Sequence, residues 1–357
     1  MQIPETIEEI VAAIRPLDAD WIEKARRHTA QLVMPPRALG RLHELAERCC
    51  AIQETLSPCI DNKAVAVMAG DHGIAAEGVS AFPQEVTGAM VQTFLAGGAG
   101  INTVARHAGA QVWVVDMGII PDIDPRSVPG GHHLKVSKLG PGTASFIRGP
   151  AMSPDAAARA ILTGFGHAAE LFAAGVQVLG TGDMGIGNTT PSAAIGQVMT
   201  GCDIHDMVGR GTGVDDEGLV RKKEVIARGI TLNRPERRDG LDVLAKVGGF
   251  EIGGITGLVL AGAYYRRPVV IDGFISTAGA LIAHSLCPTV TDYLFAGHCS
   301  EEAGHRIMLR HLGLAPVLDL GMRLGEGTGA VLAMTLMQAA VSIFNEVMTF
   351  EQAGIAN

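Results

Sequence analysis

An α/β protein, built on a Rossmann-like, mostly parallel sheet flanked by helices on both faces, is predicted by three observations. Short apolar or β-branched runs alternate with longer helical stretches along most of the chain, the pattern of buried strands joined by helical crossovers. Hydrophobic residues make up 47% of the 357 and charged residues only 18%, so a large share of the chain is expected inside a core. Glycine occupies 46 positions, well above its usual share of about 7%, and so many connections must be tight loops. At roughly 100–200 residues per domain, this length allows two or three domains, and one large and one small are expected.

The elements follow in order. Residues 8–15, 19–33 and 38–53 have helical periodicity, the last after the breaker Pro35-Pro36. From Ala64 the texture changes, and strands are expected at 64–68, 111–115, 176–179, 268–271, 293–296 and 315–318. Five of these six run into glycine-bearing segments: Gly70-Asp-His-Gly73, Met117-Gly118, Gly180-Thr-Gly-Asp-Met-Gly185, Asp272-Gly273 and Gly321. Ligands in such folds sit beyond the carboxyl ends of the strands. The site is therefore expected to be assembled from several loops.

Composition narrows the partners. Aromatic residues are 4% of the chain and the formal net charge is −9, which supports neither base-stacking platforms nor a basic track for nucleic acid. A small-molecule partner is expected. The six cysteines include the adjacent pair Cys49-Cys50 but no C-x-x-C, so a reducing cytoplasm fits better than a secreted disulfide framework. The N-terminus lacks the basic and apolar blocks of a secretory leader, and no uninterrupted apolar run approaches the ~20 residues that span a bilayer. No membrane association is expected.

The chemistry concentrates in Asp319-Leu-Gly-Met-Arg-Leu-Gly-Glu-Gly-Thr-Gly-Ala330, followed by an apolar helical run to about Asn345. Glu326 stands between two glycines just before a helix start, where an acidic residue most often only complements the helix dipole. An echo favours more than that. Gly209-Arg-Gly-Thr-Gly213 repeats the G-x-G-T-G pattern of Gly325-Glu-Gly-Thr-Gly329 with a cation in place of the carboxylate. Two such loops, each leading into a helix, point to one site with an anion-holding side and a proton-handling side.

Gly180-Thr-Gly-Asp-Met-Gly185 matches the dinucleotide fingerprint literally, which makes a nucleotide-dependent oxidoreductase the alternative. That fingerprint needs its third glycine in the opening turn of the helix. Here Gly187-Asn-Thr-Thr-Pro191 intervenes, with Thr190 the expected N-cap and Pro191 the expected first helical residue. A non-catalytic nucleotide-binding module is the third possibility, but it has no use for Glu326. In Gly209-Arg-Gly-Thr-Gly-Val-Asp-Asp-Glu-Gly-Leu-Val-Arg-Lys-Lys223, dipole matching accounts for Asp215, Asp216 and Glu217. Lys222 or Lys223 can reach back to a phosphate, and spacing does not choose between them. The pair Asp71-His72 has no nucleophile elbow to complete a triad, and the twelve histidines show no metal-ligand spacing. No metal and no cofactor are expected.

Taken together, Gly70-Asp-His-Gly73 with Glu77-Gly-Val-Ser80, Met184-Gly-Ile-Gly-Asn-Thr-Thr-Pro191, Gly209–Gly213, Asp272-Gly-Phe274 and Leu324-Gly-Glu-Gly-Thr-Gly-Ala330 resemble the nicotinate-nucleotide-dimethylbenzimidazole phosphoribosyltransferase family of cobalamin lower-ligand assembly. The resemblance runs in order over nearly the whole chain. It implies transfer of ribose 5-phosphate from nicotinate mononucleotide to a benzimidazole-type base, with inversion at the anomeric carbon. It also implies a homodimer, a large α/β domain over residues 61–327, and a small helical domain from 1–60 and 328–357. Glu326 falls on the family's catalytic glutamate, and a carboxylate of ordinary pKa suffices for that role. Lys222 and the loop with Arg210 and Gly211 would hold the 5′-phosphate, with Gly185 close to it. Ser80, Met90, Asp183, Met184 and Leu324 would surround the base. Many members carry Glu where this chain has Asp183, and Ser145 and Ala303 also depart from the pattern. The apolar segments 84–108 and 328–345 are expected to supply the dimer surface.

Overall fold

The computed structural model describes residues 4–126 and 133–356; residues 1–3 and 357, the outer ends of the expected helical segments, lie outside them. The strands are β1 (Lys63–Gly70), β2 (Ala110–Gly118), β3 (Leu134–Val136), β4 (Val178–Met184), β5 (Val269–Ile271), β6 (Leu294–Ser300) and β7 (Pro316–Met322). They form one parallel sheet in the order β3-β2-β1-β4-β5-β6-β7. All eight residues of β1 are buried. Its side chains alternate, with Ala64, Ala66 and Met68 entering one apolar layer and Val65, Val67 and Ala69 the other. That is why the sequence reads as a continuous apolar run there: both faces are covered.

Three helices precede the sheet: α1 (Ile7–Ala13), α2 (Ala19–Thr29) and α3 (Arg41–Gln53). The crossovers are α4 (Val86–Leu95), α5 (Gly100–Ala108), α6 (Pro154–Ala173), α7 (Thr189–Thr200), α8 (Ile204–Met207), α9 (Asp216–Asn233), α10 (Gly240–Val247), α11 (Phe250–Tyr264), α12 (Phe274–Leu286) and α13 (His305–His311), and α14 (Thr328–Glu346) closes the chain. α11 is buried on every side and crosses α6 at near backbone contact. A Cβ at Gly164 would lie 1.9 Å from the Gly254 carbonyl oxygen, and one at Gly257 2.0 Å from that of Ile161. The first half of α14 lies on the sheet, with Ala330 and Met334 over Gly180. Its second half reaches the N-terminal segment, where Phe344 packs on His28 and Asn345 donates to the Pro58 carbonyl.

Several expectations need correction. Gly180, Gly182 and Asp183 lie inside β4, not in a loop after it, and Gly70, Gly118 and Gly321 also close strands. The β4 glycines are there because α14 presses on the sheet: a Cβ at Gly182 would meet the Glu326 carbonyl oxygen at 2.5 Å. β3 escaped notice because three residues carry no readable period. α2 stops at Thr29, since Leu32 and Val33 bond in extended form to Thr349 and Met348. α3 starts at Arg41, after Gly40 turns the chain at φ +53°. α7 starts at Thr189 with Asn188 as N-cap, so Thr190 and Pro191 lie inside its first turn. The cause is Gly187 at φ +89°, which turns the chain a residue earlier than the Thr-Pro pair suggests. Among the described residues α14 alone is long and apolar enough to cross a membrane, and just over half of its apolar window is buried against the rest of the chain.

Candidate active site

The chain runs outward from β1 to β2 and β3, then returns to the other side of β1 for β4 and the remaining strands. Ligands in open α/β sheets bind beyond the carboxyl ends of the strands at such a reversal. A cavity of about 440 Å³ opens there. The end of β4 supplies Asp183 and Met184, the start of α7 supplies Asn188 and Thr189, and β6 supplies His298 and Ser300. Arg323 to Glu326 close it from the segment after β7, and Gly211 and Thr212 from the first glycine loop. The two glycine loops noticed in the sequence thus meet at one cavity.

Glu326 sits in an unusual backbone. Gly325, Glu326 and Gly327 are all left-handed, at φ +83°, +64° and +92°. For a residue with a side chain this costs about 1–2 kcal/mol, which the surroundings must hold in place. The side chain is almost fully buried and its Oε2 accepts the Ile101 amide at 2.9 Å, in the first turn of α5. The carboxylate therefore caps another helix, not its own. Its Oε1 has no hydrogen-bond partner among the described residues. Burial raises the Glu326 pKa, opposed by the Ile101 hydrogen bond, which makes it a stronger base than the ordinary carboxylate that would suffice.

The N-terminus of α14 is filled by a carboxylate that sequence reasoning quoted but gave no role. Asp272, at the end of β5 and fully buried, accepts from Gly329 at 2.7 Å and Ala330 at 3.0 Å through Oδ1, and from Gly327 at 3.3 Å through Oδ2. Burial pushes its pKa up to about 7 despite those three donors. Asp183 is pushed up to about 8, first by burial and then by the neighbouring Asp272 charge, while the Asn188 amide at 2.8 Å pulls the other way. Asp183 both lines the cavity and braces the turn into α7.

Behind the cavity wall at Thr189, Lys222 is buried, and its Nζ donates to Thr189 Oγ1 at 2.6 Å and to the Gly209 carbonyl at 3.3 Å. Burial lowers its pKa to about 8, with Glu302 opposing. Lys223 points elsewhere, to His205 on the surface, so of the two lysines that spacing left open Lys222 is the one turned towards Thr189. α7 begins here without a side-chain cap, but Thr190 donates to the Gly187 carbonyl at 2.9 Å and Pro191 has no N–H, so of its opening amides that of Thr189 is left to a ligand. Gly185 has no room for a side chain, since a Cβ there would lie 2.3 Å from the Gly70 carbonyl oxygen.

Met90, Asp183, Met184, Gly185, Gly211, Leu324 and Glu326 come together as expected. Two do not. Arg210 does not line the cavity: its guanidinium is turned to Asp216 and to the Val214 carbonyl, drawn by the acidic first turn of α9. Ser80 stands at the rim, bonded to Thr212 Oγ1 at 3.2 Å. Glu302 and His298, given no place in the site by the sequence, line the cavity, and Glu302 Oε2 and His298 Nδ1 have no hydrogen-bond partner among the described residues. Their sequence signal was a position in or just after the run that forms β6.

The model of a phosphoribosyltransferase family matches residues 14–355. The chain is 53% identical over 350 residues to the nicotinate-nucleotide–dimethylbenzimidazole phosphoribosyltransferase of Geotalea uraniireducens, covering 98% of each chain. It is 51% identical over 350 residues to the protein of that name from Roseiflexus sp., again covering 98% of each. The crystal structure of the Thermus thermophilus nicotinate-nucleotide-dimethylbenzimidazole phosphoribosyltransferase superposes with a TM-score of 0.89 at 46% identity, covering 96% of this chain and 100% of that one.

Proposed function

The chain belongs to the nicotinate-nucleotide–dimethylbenzimidazole phosphoribosyltransferase family, and from that premise we propose that its cavity transfers ribose 5-phosphate from nicotinate mononucleotide to 5,6-dimethylbenzimidazole or a related base. The products are α-ribazole 5′-phosphate and nicotinate, the nucleotide-loop step of cobalamin assembly. The observation that carries the reading is a single cavity with a buried, strained carboxylate in its lining and, behind its Thr189 wall, a buried lysine bonded to that hydroxyl. The literal G-x-G-x-x-G behind the oxidoreductase alternative is mostly strand, and that alternative has lost its basis.

Each residue then has a task. Lys222, Thr189 and the Gly211 backbone hold the phosphate, with charge-assisted hydrogen bonding from the ammonium. Met90, Met184 and Leu324 flank the aromatic base. The C1′–N bond to nicotinate breaks with its electron pair going to the pyridinium nitrogen, which needs no proton to leave. One nitrogen of the incoming base forms the new C1′–N bond from the opposite face. Positive charge spreads over its ring and acidifies the other N–H, whose proton passes to Glu326. A raised pKa makes Glu326 a better acceptor for it, and its negative charge stabilises the ring cation as it develops. Asp183, in the lining beside Met184, is a hydrogen-bond partner for the base.

The homodimer and a cytoplasmic location belong to the same proposal. The segments 84–108 and 328–345 bury most of their large apolar side chains within the chain, so they support a dimer less than expected. Better support comes from Phe82, Leu320 and Leu324, each more than half exposed, and from the half-open edge strand β7. All six cysteines are free, in keeping with a reducing compartment. Light scattering at micromolar concentration gives twice the chain mass if the dimer reading is right. The decisive experiment for the activity is incubation with nicotinate mononucleotide and a panel of bases, with α-ribotides read by mass. Absence of any ribotide overturns the proposal.

A further inference from the structure

Fully buried carboxylates are rare unless paired, and Asp272 is not paired with a cation. Its closest basic group is the His298 ring, with Nε2 3.8 Å from Oδ1. Its partners are instead the three backbone amides that open α14. The bond to Gly327 ends the left-handed run that carries Glu326, and the bonds to Gly329 and Ala330 fix the helix that follows. The aspartate is itself anchored, since its own amide donates to Thr181 Oγ1 at 3.2 Å and that hydroxyl donates to Ser276 at 2.8 Å. Gly327 is pressed between Val65 and the Thr181 carbonyl, and Gly329 lies against the His298 ring. Nothing in this bracket touches the cavity except through Glu326, Gly325, Gly273 and His298.

A helix N-terminus with free amides attracts phosphate. Helices open near this site with different endings. The α14 amides of Gly327, Gly329 and Ala330 are taken by Asp272, that of Gly218 in α9 by its own Asp215 at 2.8 Å, and α7 and α12 have no side-chain cap. We propose that Asp272 is a positioning residue for Glu326: it fills the N-terminus of α14 with a built-in anion, fixes the left-handed turn that presents the base, and denies the substrate phosphate a place beside it. The phosphate is thereby kept off the helix start that carries Glu326, in keeping with its place at Lys222. The inference rests on Glu326 being the base.

Two experiments test it. In the wild-type protein, titration with inorganic phosphate followed by amide NMR shifts Thr189 and Gly211 and leaves Gly327, Gly329 and Ala330 unmoved. Direct binding at the last three overturns the proposal. Shifts in neither set leave α14 closed to anions, as proposed, and count instead against the phosphate placement given under the function. The second experiment is Asp272→Asn, which keeps an oxygen for Gly329 and Ala330 but turns an N–H₂ towards the Gly327 amide. Misplacement of a catalytic group by about 1 Å costs roughly 10² in rate, and a fall in kcat of that order is expected with both KM values held within about threefold. A merely structural aspartate lowers the melting temperature and spares kcat in the folded protein, so kcat within about threefold of wild type overturns the proposal. If the variant does not fold, the wild-type titration still decides.

Discussion

The two glycine loops share a sequence pattern and almost nothing else. Gly325–Gly329 is buried, carries three consecutive left-handed residues, is held from below by Asp272, and leaves no space around Gly327. Gly209–Gly213 is largely exposed, with its arginine turned outward to Asp216 and open space around Gly213. One loop is a rigid mount for a single side chain. The other lends backbone and a neighbouring lysine to a ligand. A short pattern therefore reports where a chain must turn, while the use of that turn depends on what is packed against it.

The contrast is broken most severely at the mount. Glu326→Gln keeps the shape and removes the proton acceptor, so kcat is expected to fall by about 10²–10⁴ with little change in either KM. Steady-state kinetics checks this, and near-normal turnover would reassign the base. In the wild type, kcat should fall as the pH drops through the raised Glu326 pKa, because only the ionised carboxylate accepts a proton. The acid limb of the pH profile should then lie above that of an ordinary glutamate.

Gly327→Ala sharpens the comparison between glycines. Its Cβ would lie 2.5 Å from Val65 Cγ2 at φ +92°, and strain plus overpacking should destabilise the fold by about 2–4 kcal/mol. Gly213→Ala, at φ +106° in open space, should cost only ~1 kcal/mol. Urea denaturation of the two variants compares them directly, and equal losses would deny that one loop is a mount.

At the ligand-holding loop, Lys222→Ala should raise the nucleotide KM by the equivalent of about 1.5–3 kcal/mol and leave the base KM alone, whereas Lys223→Ala and Arg210→Ala should stay within about twofold of wild type. In the wild type the nucleotide KM should rise above about pH 8, where Lys222 loses the charge that its burial makes easy to lose. A flat profile from pH 7 to 9 would move the phosphate off Lys222. The smallest effect is expected at Asp183→Glu. One more methylene pushes the carboxyl towards the base and away from Asn188, and should widen the spread of kcat/KM among competing bases by roughly two- to tenfold. Paired-base competition on both proteins measures it, and an unchanged ranking and spread leaves Asp183 only its brace on the turn into α7.

By itself the sequence determined the layered α/β class, six of the seven strands, the helix after Glu326 and the members of the cavity that sit at strand ends. These are local matters, because a strand covered on both faces must be apolar throughout and a helix start must carry turn and capping residues. It also carried a family resemblance strong enough to name the reaction. Tertiary structure alone decided that Glu326 caps α5, that Asp272 fills α14, that Lys222 turns inward while Lys223 and Arg210 turn out, and that Gly180 and Gly182 are strand residues flattened under a helix. Most of these join positions far apart in the chain, 225 residues for Glu326 and Ile101 and 57 for Asp272 and Gly329, while Arg210 reaches only six residues on, to Asp216. The pKa of a buried carboxyl or lysine likewise follows from the water and charges excluded around it by distant segments, and no spacing along the chain encodes that.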